Sequence, residues 1–72
     1  MKTTLREIRE LIENGLILPA ETNGFRVQVG FLELTVTGYE ETPGDYLPNV
    51  WLLERNGKKY RFTPYNGLER VF

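Results

Sequence analysis

Basic and aromatic side chains alternate near the C-terminal end of the chain, in a pattern that is typical of nucleic-acid binding. The cluster consists of Arg55, Lys58, Lys59 and Arg61, interleaved with Tyr60 and Phe62. Such a cluster can bind single-stranded nucleic acid, because cations attract phosphates while aromatic rings stack on bases. The formal net charge of −1 argues against a general nucleic-acid binder, since these proteins carry a basic excess.

The residue types that most catalytic sites need are missing. The sequence has no His, Cys or Ser, which excludes the usual nucleophile–base pairs and the usual zinc ligand sets. Glu40, Glu41 and Asp45 could form a metal or acid–base site, but no calcium-loop spacing accompanies them and a solvated acidic loop is the simpler interpretation. We therefore expect no catalytic residues, no metal and no cofactor.

The length and composition indicate one small domain. Seventy-two residues support one marginal core, which needs good packing or self-association because no disulfide or zinc site is available. The lack of Cys fits a cytoplasmic protein. No apolar run is long enough to span a bilayer, and the charged residues 1–14 are unlike a signal peptide, so we expect no membrane association.

The clearest structural pattern is a β-hairpin over residues 49–63. Asn56-Gly57 fits a type I′ turn, in which both residues have positive φ. This turn predicts five facing pairs: Arg55 with Lys58, Glu54 with Lys59, Leu53 with Tyr60, Leu52 with Arg61, and Trp51 with Phe62. One face of the hairpin, expected to be core, then carries Trp51, Leu53, Tyr60 and Phe62. The other face carries Val50, Leu52, Glu54, Lys59, Arg61 and Thr63.

This register separates the aromatic rings from the charges of Lys59 and Arg61, which disfavours nucleic-acid binding. It also places Val50 and Leu52 beside Lys59 and Arg61, as a small apolar spot with a positive rim, which is typical of interface cores. The alternative is that an N-terminal helix covers this face and buries Leu52.

That helix is predicted over residues 5–14. Thr4 and Glu7 have capping-box spacing, and Asn14-Gly15 is a typical helix end. Its apolar stripe consists of Leu5, Ile8, Leu11 and Ile12. Residues 16–19 then read as an edge strand or a covering arm, and residues 20–24 as a loop.

The remaining strands are predicted on both sides of the hairpin. Residues 25–41 contain two alternating apolar series that change phase at Gly30-Phe31. We favour a type II′ hairpin turn at this point, with a bulge inside one bent strand as the alternative. Residues 42–48 read as a loop, residues 64–67 as a tight or 3₁₀ turn, and residues 68–72 as the last strand.

The order of elements predicts an α+β, mainly β domain: an N-terminal helix (residues 4–14) followed by a five-stranded antiparallel small barrel (about 25–72) of the SH3-like or Sm-like kind. Residues 34–41, LTVTGYEE, resemble the second-strand segment of Sm-like proteins. The overall order resembles the small Rho-binding antiterminator proteins. The resemblance implies that Asn49 corresponds to the Asn after the loop that binds RNA in Sm-like barrels, whereas Pro-Tyr-Asn-Gly does not reproduce the family's later Arg-Gly-x-Asn-like motif.

Our functional interpretation is a non-enzymatic, protein-binding regulatory or inhibitory module, with a bacterial or phage source plausible from its size. The tyrosines fit either packing or a contact surface. The expected partner-binding residues are Val50, Leu52, Lys59, Arg61, Tyr39, Tyr46 and Tyr65. The alternatives are an Sm-like barrel that binds RNA or other single-stranded nucleic acid, and a structural homo-oligomer.

Overall fold

Over the residues that the structure describes, the protein folds as one α-helix packed on a six-stranded sheet. The computed structural model describes residues 2–41 and 48–71. The elements are β1 (Lys2–Thr3), α1 (Leu5–Glu13), a 3₁₀ helix (Pro19–Thr22), β2 (Arg26–Val29), β3 (Leu32–Glu41), β4 (Pro48–Arg55), β5 (Lys58–Thr63) and β6 (Gly67–Val71). This composition confirms the predicted α+β, mainly β class.

The strands follow one another in chain order from β1 to β6. The five predicted antiparallel strands correspond to β2–β6, and β1 adds a two-residue parallel pairing with β2 that the sequence did not predict. In the described part of the chain no pairing joins β1 to β6, so the sheet is open and the predicted barrel closure is not shown.

The N-terminal cap of α1 uses only half of the predicted capping box. The Thr4 hydroxyl accepts a hydrogen bond from the backbone N–H of Glu7 at 3.2 Å. The Glu7 carboxylate instead accepts from the hydroxyl of Thr3 at 2.7 Å. At the other end Gly15 has a φ of +70°, and Leu16 N–H donates to the carbonyl of Leu11, so the helix ends as predicted.

The segment after α1 differs from its prediction. Residues 16–18 form no strand, and Leu16 and Leu18 are exposed. Pro19 does not stop a strand; it starts the 3₁₀ helix, where its fixed φ is already suitable and its missing N–H is not needed.

Both predicted two-residue hairpin turns are present. Asn56 and Gly57 have φ values of +51° and +79°, as a type I′ turn requires, and all five predicted pairs between β4 and β5 are found. Gly30 has a φ of +61° and lies between the paired residues Val29 and Leu32, so this site is the hairpin turn and not the bulge.

The core lies between α1 and one face of the sheet, which we call the inner face. Its buried side chains are Leu5, Ile8, Val27, Leu34, Val36, Trp51 and Leu53. Tyr60 and Phe62 pack against this cluster and are partly buried. The helix therefore covers the face that carries Trp51 and Leu53, and the alternative in which it buries Leu52 is wrong.

Candidate partner-binding surfaces

A bulge in β3 decides which side chains reach the opposite face of the sheet, the outer face. Val36 pairs with Leu53, but the next pair joins Gly38 to Leu52, so Thr37 is an extra residue. The inward series of Leu34 and Val36 therefore resumes at Tyr39 and not at Gly38.

Tyr39 accordingly packs inward, apart from the other predicted partner-binding residues. Its ring centroid lies 6.2 Å from that of Trp51, with the two planes tilted by 57°. The sequence left open whether the tyrosines pack against the protein or form a contact surface, and the position of Tyr39 fits packing.

Val50 and Leu52 lie on the outer face and are half-buried. Leu52 packs over Gly38: a Cβ atom added at Gly38 would lie only 3.4 Å from the Cδ1 atom of Leu52. The glycine thus gives the leucine side chain a place to lie flat on the sheet. The hydroxyl of Thr37 donates to the Leu52 carbonyl at 3.3 Å, which ties the bulge to β4 at this point.

An ion pair crosses β4 above these two aliphatic side chains. Arg61 Nη2 lies 3.7 Å from Glu40 Oε2, although Arg61 is in β5 and Glu40 is in β3. Neighbouring strands are about 4.8 Å apart, so the two long side chains together span roughly 10 Å. Glu69 of β6 also faces Arg61 directly. The predicted positive rim is therefore balanced by two glutamates.

A depression of about 310 Å³ brings three of the predicted residues together. Val50, Arg61 and Tyr65 line it, and its other described lining residues are Asn49, Thr63, Pro64 and Asn66. We call this surface, together with the adjoining Leu52, the outer patch. Sequence reasoning found these side chains from the hairpin register and the tyrosine count, without placing Tyr65 beside Arg61.

The turn at residues 64–66 holds Tyr65 outward. The buried hydroxyl of Thr63 accepts a hydrogen bond from the backbone N–H of Asn66 at 3.0 Å, which fixes the turn to the end of β5. Tyr65 keeps 90% of its surface exposed. An aromatic ring held out by an anchored turn is a side chain available for contact with a partner.

The other predicted residues lie apart or outside the described range. Lys59 is exposed and faces Glu54 across the hairpin, as predicted. Tyr46 and Asp45 lie outside the described residues, as do the side chain of Glu41 and the predicted loop up to residue 47. Pro48, predicted as the last residue of that loop, instead begins β4. In the described part of the chain no group of three or more His, Cys, Asp or Glu side chains is placed to hold a metal ion.

The basic and aromatic cluster is divided between the two faces. Lys59 and Arg61 are exposed on the outer face, whereas Tyr60 and Phe62 pack partly buried against the core on the inner side. Lys58 is exposed and flanks the turn. Bases stacked on these rings would not lie against the same surface as Lys59 and Arg61, so the described geometry does not combine stacking with the charges of these two residues.

Comparison with known proteins gives no match. No family model, no curated protein and no solved structure is significantly similar to this chain. Over the described residues, none of the helical structure has the length and apolar character needed to cross a bilayer. The function therefore has to be argued from the surfaces themselves.

A second surface, which sequence reasoning missed, is a groove of about 480 Å³ between the first turns of α1 and the inner face of the sheet. Its described lining residues are Thr4, Leu5, Arg6, Arg9, Gln28, Val29, Gly30, Asn49, Trp51, Phe62 and Pro64. We call it the inner groove. These residues come from distant parts of the chain, so no local sequence pattern marks the groove.

Proposed function

We propose that this domain is a non-enzymatic protein-binding module that docks a partner on the outer patch. The observation that carries the proposal is the convergence of Val50, Arg61 and the exposed Tyr65 on one depression. Tyrosine and arginine are enriched among the residues that dominate protein interfaces, because each combines a large contact area with polar groups.

The chemistry of the patch favours a partner that presents an apolar side chain next to a carboxylate. The apolar side chain would lie on Val50 and Leu52, which are only half-buried. The carboxylate would compete for Arg61 with Glu40, which forms the ion pair, and with Glu69, which faces Arg61 from β6. Displacing Glu40 should cost little free energy. The Arg61–Glu40 pair is separated by 3.7 Å, both side chains are about half exposed, and exposed ion pairs contribute only about 0–1 kcal/mol.

We propose that this module acts as a regulator or inhibitor in the cytoplasm, and that its source is a bacterium or phage. It is supported by a small domain without His, Cys or Ser, for which binding is a simpler activity than catalysis.

The test uses the double variant Leu52→Glu with Arg61→Glu in an affinity capture from the source cell. The variant should keep the parent's far-UV circular dichroism spectrum, because α1 packs on the other face. It should lose a partner that the parent retains, with a loss on the order of 2 kcal/mol or more for a hot-spot contact.

The matched control is Leu16→Glu with Arg26→Glu, which makes the same charge change at exposed positions outside the outer patch. This control should retain the partner. Equal retention by the folded patch variant would refute docking at the outer patch. Capture of RNA instead of protein, weakened by salt, would favour the Sm-like RNA-binding alternative.

Self-association is a second candidate, favoured by the position of β6. In the described sheet β6 pairs only with β5, and Glu69, Arg70 and Val71 are exposed. An edge strand is a template for pairing with another chain. Sedimentation equilibrium would separate the candidates, because a monomeric mass at micromolar concentration contradicts the homo-oligomer.

A further inference from the structure

The inner groove combines an apolar floor with a basic rim. Leu5, Val29, Trp51 and Phe62 supply apolar surface, and the charged residues among its described lining are Arg6 and Arg9. Its volume of about 480 Å³ lies in the range of ligand pockets, about 300–1,000 Å³. A groove of this composition is complementary to an amphipathic anion.

The two arginines are placed to act together. They are three residues apart in α1, so they lie on neighbouring positions of the same helix surface. The Nε atom of Arg6 is 3.6 Å from a carboxylate oxygen of Glu10, and that of Arg9 is 3.7 Å from one of Glu13. These separations exceed normal hydrogen-bond lengths, and such i,i+4 pairs are weak.

A ligand carboxylate can offer these arginines more than Glu10 and Glu13 do. Guanidinium groups bind carboxylates through paired, charge-assisted hydrogen bonds, which are stronger than loose surface ion pairs. The apolar part of the same ligand would leave water and cover Val29 and Phe62, which are only partly buried, above the buried Trp51. Neither step depends on the outer patch.

We propose that the inner groove binds a small carboxylate with an apolar chain, with the chain on the Trp51 and Phe62 side and the carboxylate at Arg6 and Arg9. Trp51 is the one tryptophan in the sequence, so its fluorescence reports on this groove directly.

The test is a titration of the whole protein with decanoate below its micelle concentration, followed by Trp51 emission. We expect a saturable change in emission. Decanol and decyltrimethylammonium carry the same chain without the negative charge, and each should bind roughly ten-fold more weakly or worse.

Arg6→Gln with Arg9→Gln should weaken decanoate binding by roughly ten-fold while leaving the fold intact, because both arginines lie on the helix surface. Arg26→Gln with Arg55→Gln is the charge-matched control, since neither residue lines the groove, and its binding should equal the parent's. Backbone amide shifts in NMR spectra should concentrate at Leu5, Val29 and Phe62.

Three results would each overturn the proposal: no saturable response to decanoate, equal binding of the three probes, or unchanged affinity in the Arg6 and Arg9 variant. Failure of the outer-patch experiment would not affect it, because that experiment changes Leu52 and Arg61, and neither residue lines the inner groove.

Discussion

Two adjacent leucines of β4 provide a direct test of which face of the sheet the helix covers. Leu53 is 1% exposed and belongs to the core under α1, whereas Leu52 lies half-buried over Gly38 on the outer face. Truncating each to Ala removes the same atoms from the same strand, so the two variants differ only in environment.

The structure predicts unequal losses of stability. Leu53→Ala leaves a cavity inside the core and should cost about 2–5 kcal/mol. Leu52→Ala opens no closed cavity, and removing a half-buried leucine side chain should cost about 1 kcal/mol. One kcal/mol shifts the melting temperature of a domain of this size by about 4–8 °C. Leu53→Ala should therefore lower it by about 8 °C or more, and Leu52→Ala by about 4–8 °C.

Thermal unfolding followed by far-UV circular dichroism, with urea unfolding at about 25 °C as the second measurement, compares the two variants. The order of the two losses is the decisive result. If Leu52→Ala is destabilised as much as Leu53→Ala, or more, then the outer face is covered and the outer patch is not a docking surface.

Two further predictions concern the turn of the β4–β5 hairpin and metal ions. Gly57→Val should lower the melting temperature more than Gly57→Asn, because φ is +79° at this position and a β-branched residue resists positive φ. No atom lies within 4 Å of an added Cβ, so backbone strain alone separates the two variants. Equal melting temperatures of the Gly57→Val variant and the parent protein would show that the turn is misassigned. EDTA should leave the melting temperature unchanged, since no convincing ligand set occurs among the described residues, and a clear fall would restore Glu40, Glu41 and Asp45 as a metal site.

Local chemistry explains which parts of the fold could be predicted. Asn56-Gly57 determines both a turn type and a register, so every pair from Arg55–Lys58 to Trp51–Phe62 followed from two residues. The helix was similarly defined by its apolar stripe and by Gly15 at its end. The two-residue β1 is too short to show any periodicity, and its parallel partner lies more than twenty residues away.

Of the candidate surfaces, only the residues of the β4–β5 hairpin could be placed from the sequence. Val50, Leu52 and Arg61 were placed on one face correctly, because that follows from alternation along β4 and β5. The Arg61–Glu40 pair was missed because it joins strands that are not neighbours. The bulge had a signal in the sequence: inward apolar residues move from position 36 to position 39, a spacing of three that strict alternation forbids.

The bulge at Thr37 makes β3 adjustable in length at this one position. Substituting Thr37 changes only a side chain on the surface, and deleting it would remove the bulge while leaving Val36 and Tyr39 two positions apart, both on the inner face. Gly38 would still face Leu52 and Tyr39 would still face Trp51, so the deletion would cost the bulge itself and the hydrogen bond from the Thr37 hydroxyl to the Leu52 carbonyl, and not the core. Neither the residue type nor the presence of this residue is therefore needed for the inward alternation of β3, and natural variants should accept both substitutions and single-residue deletions at Thr37.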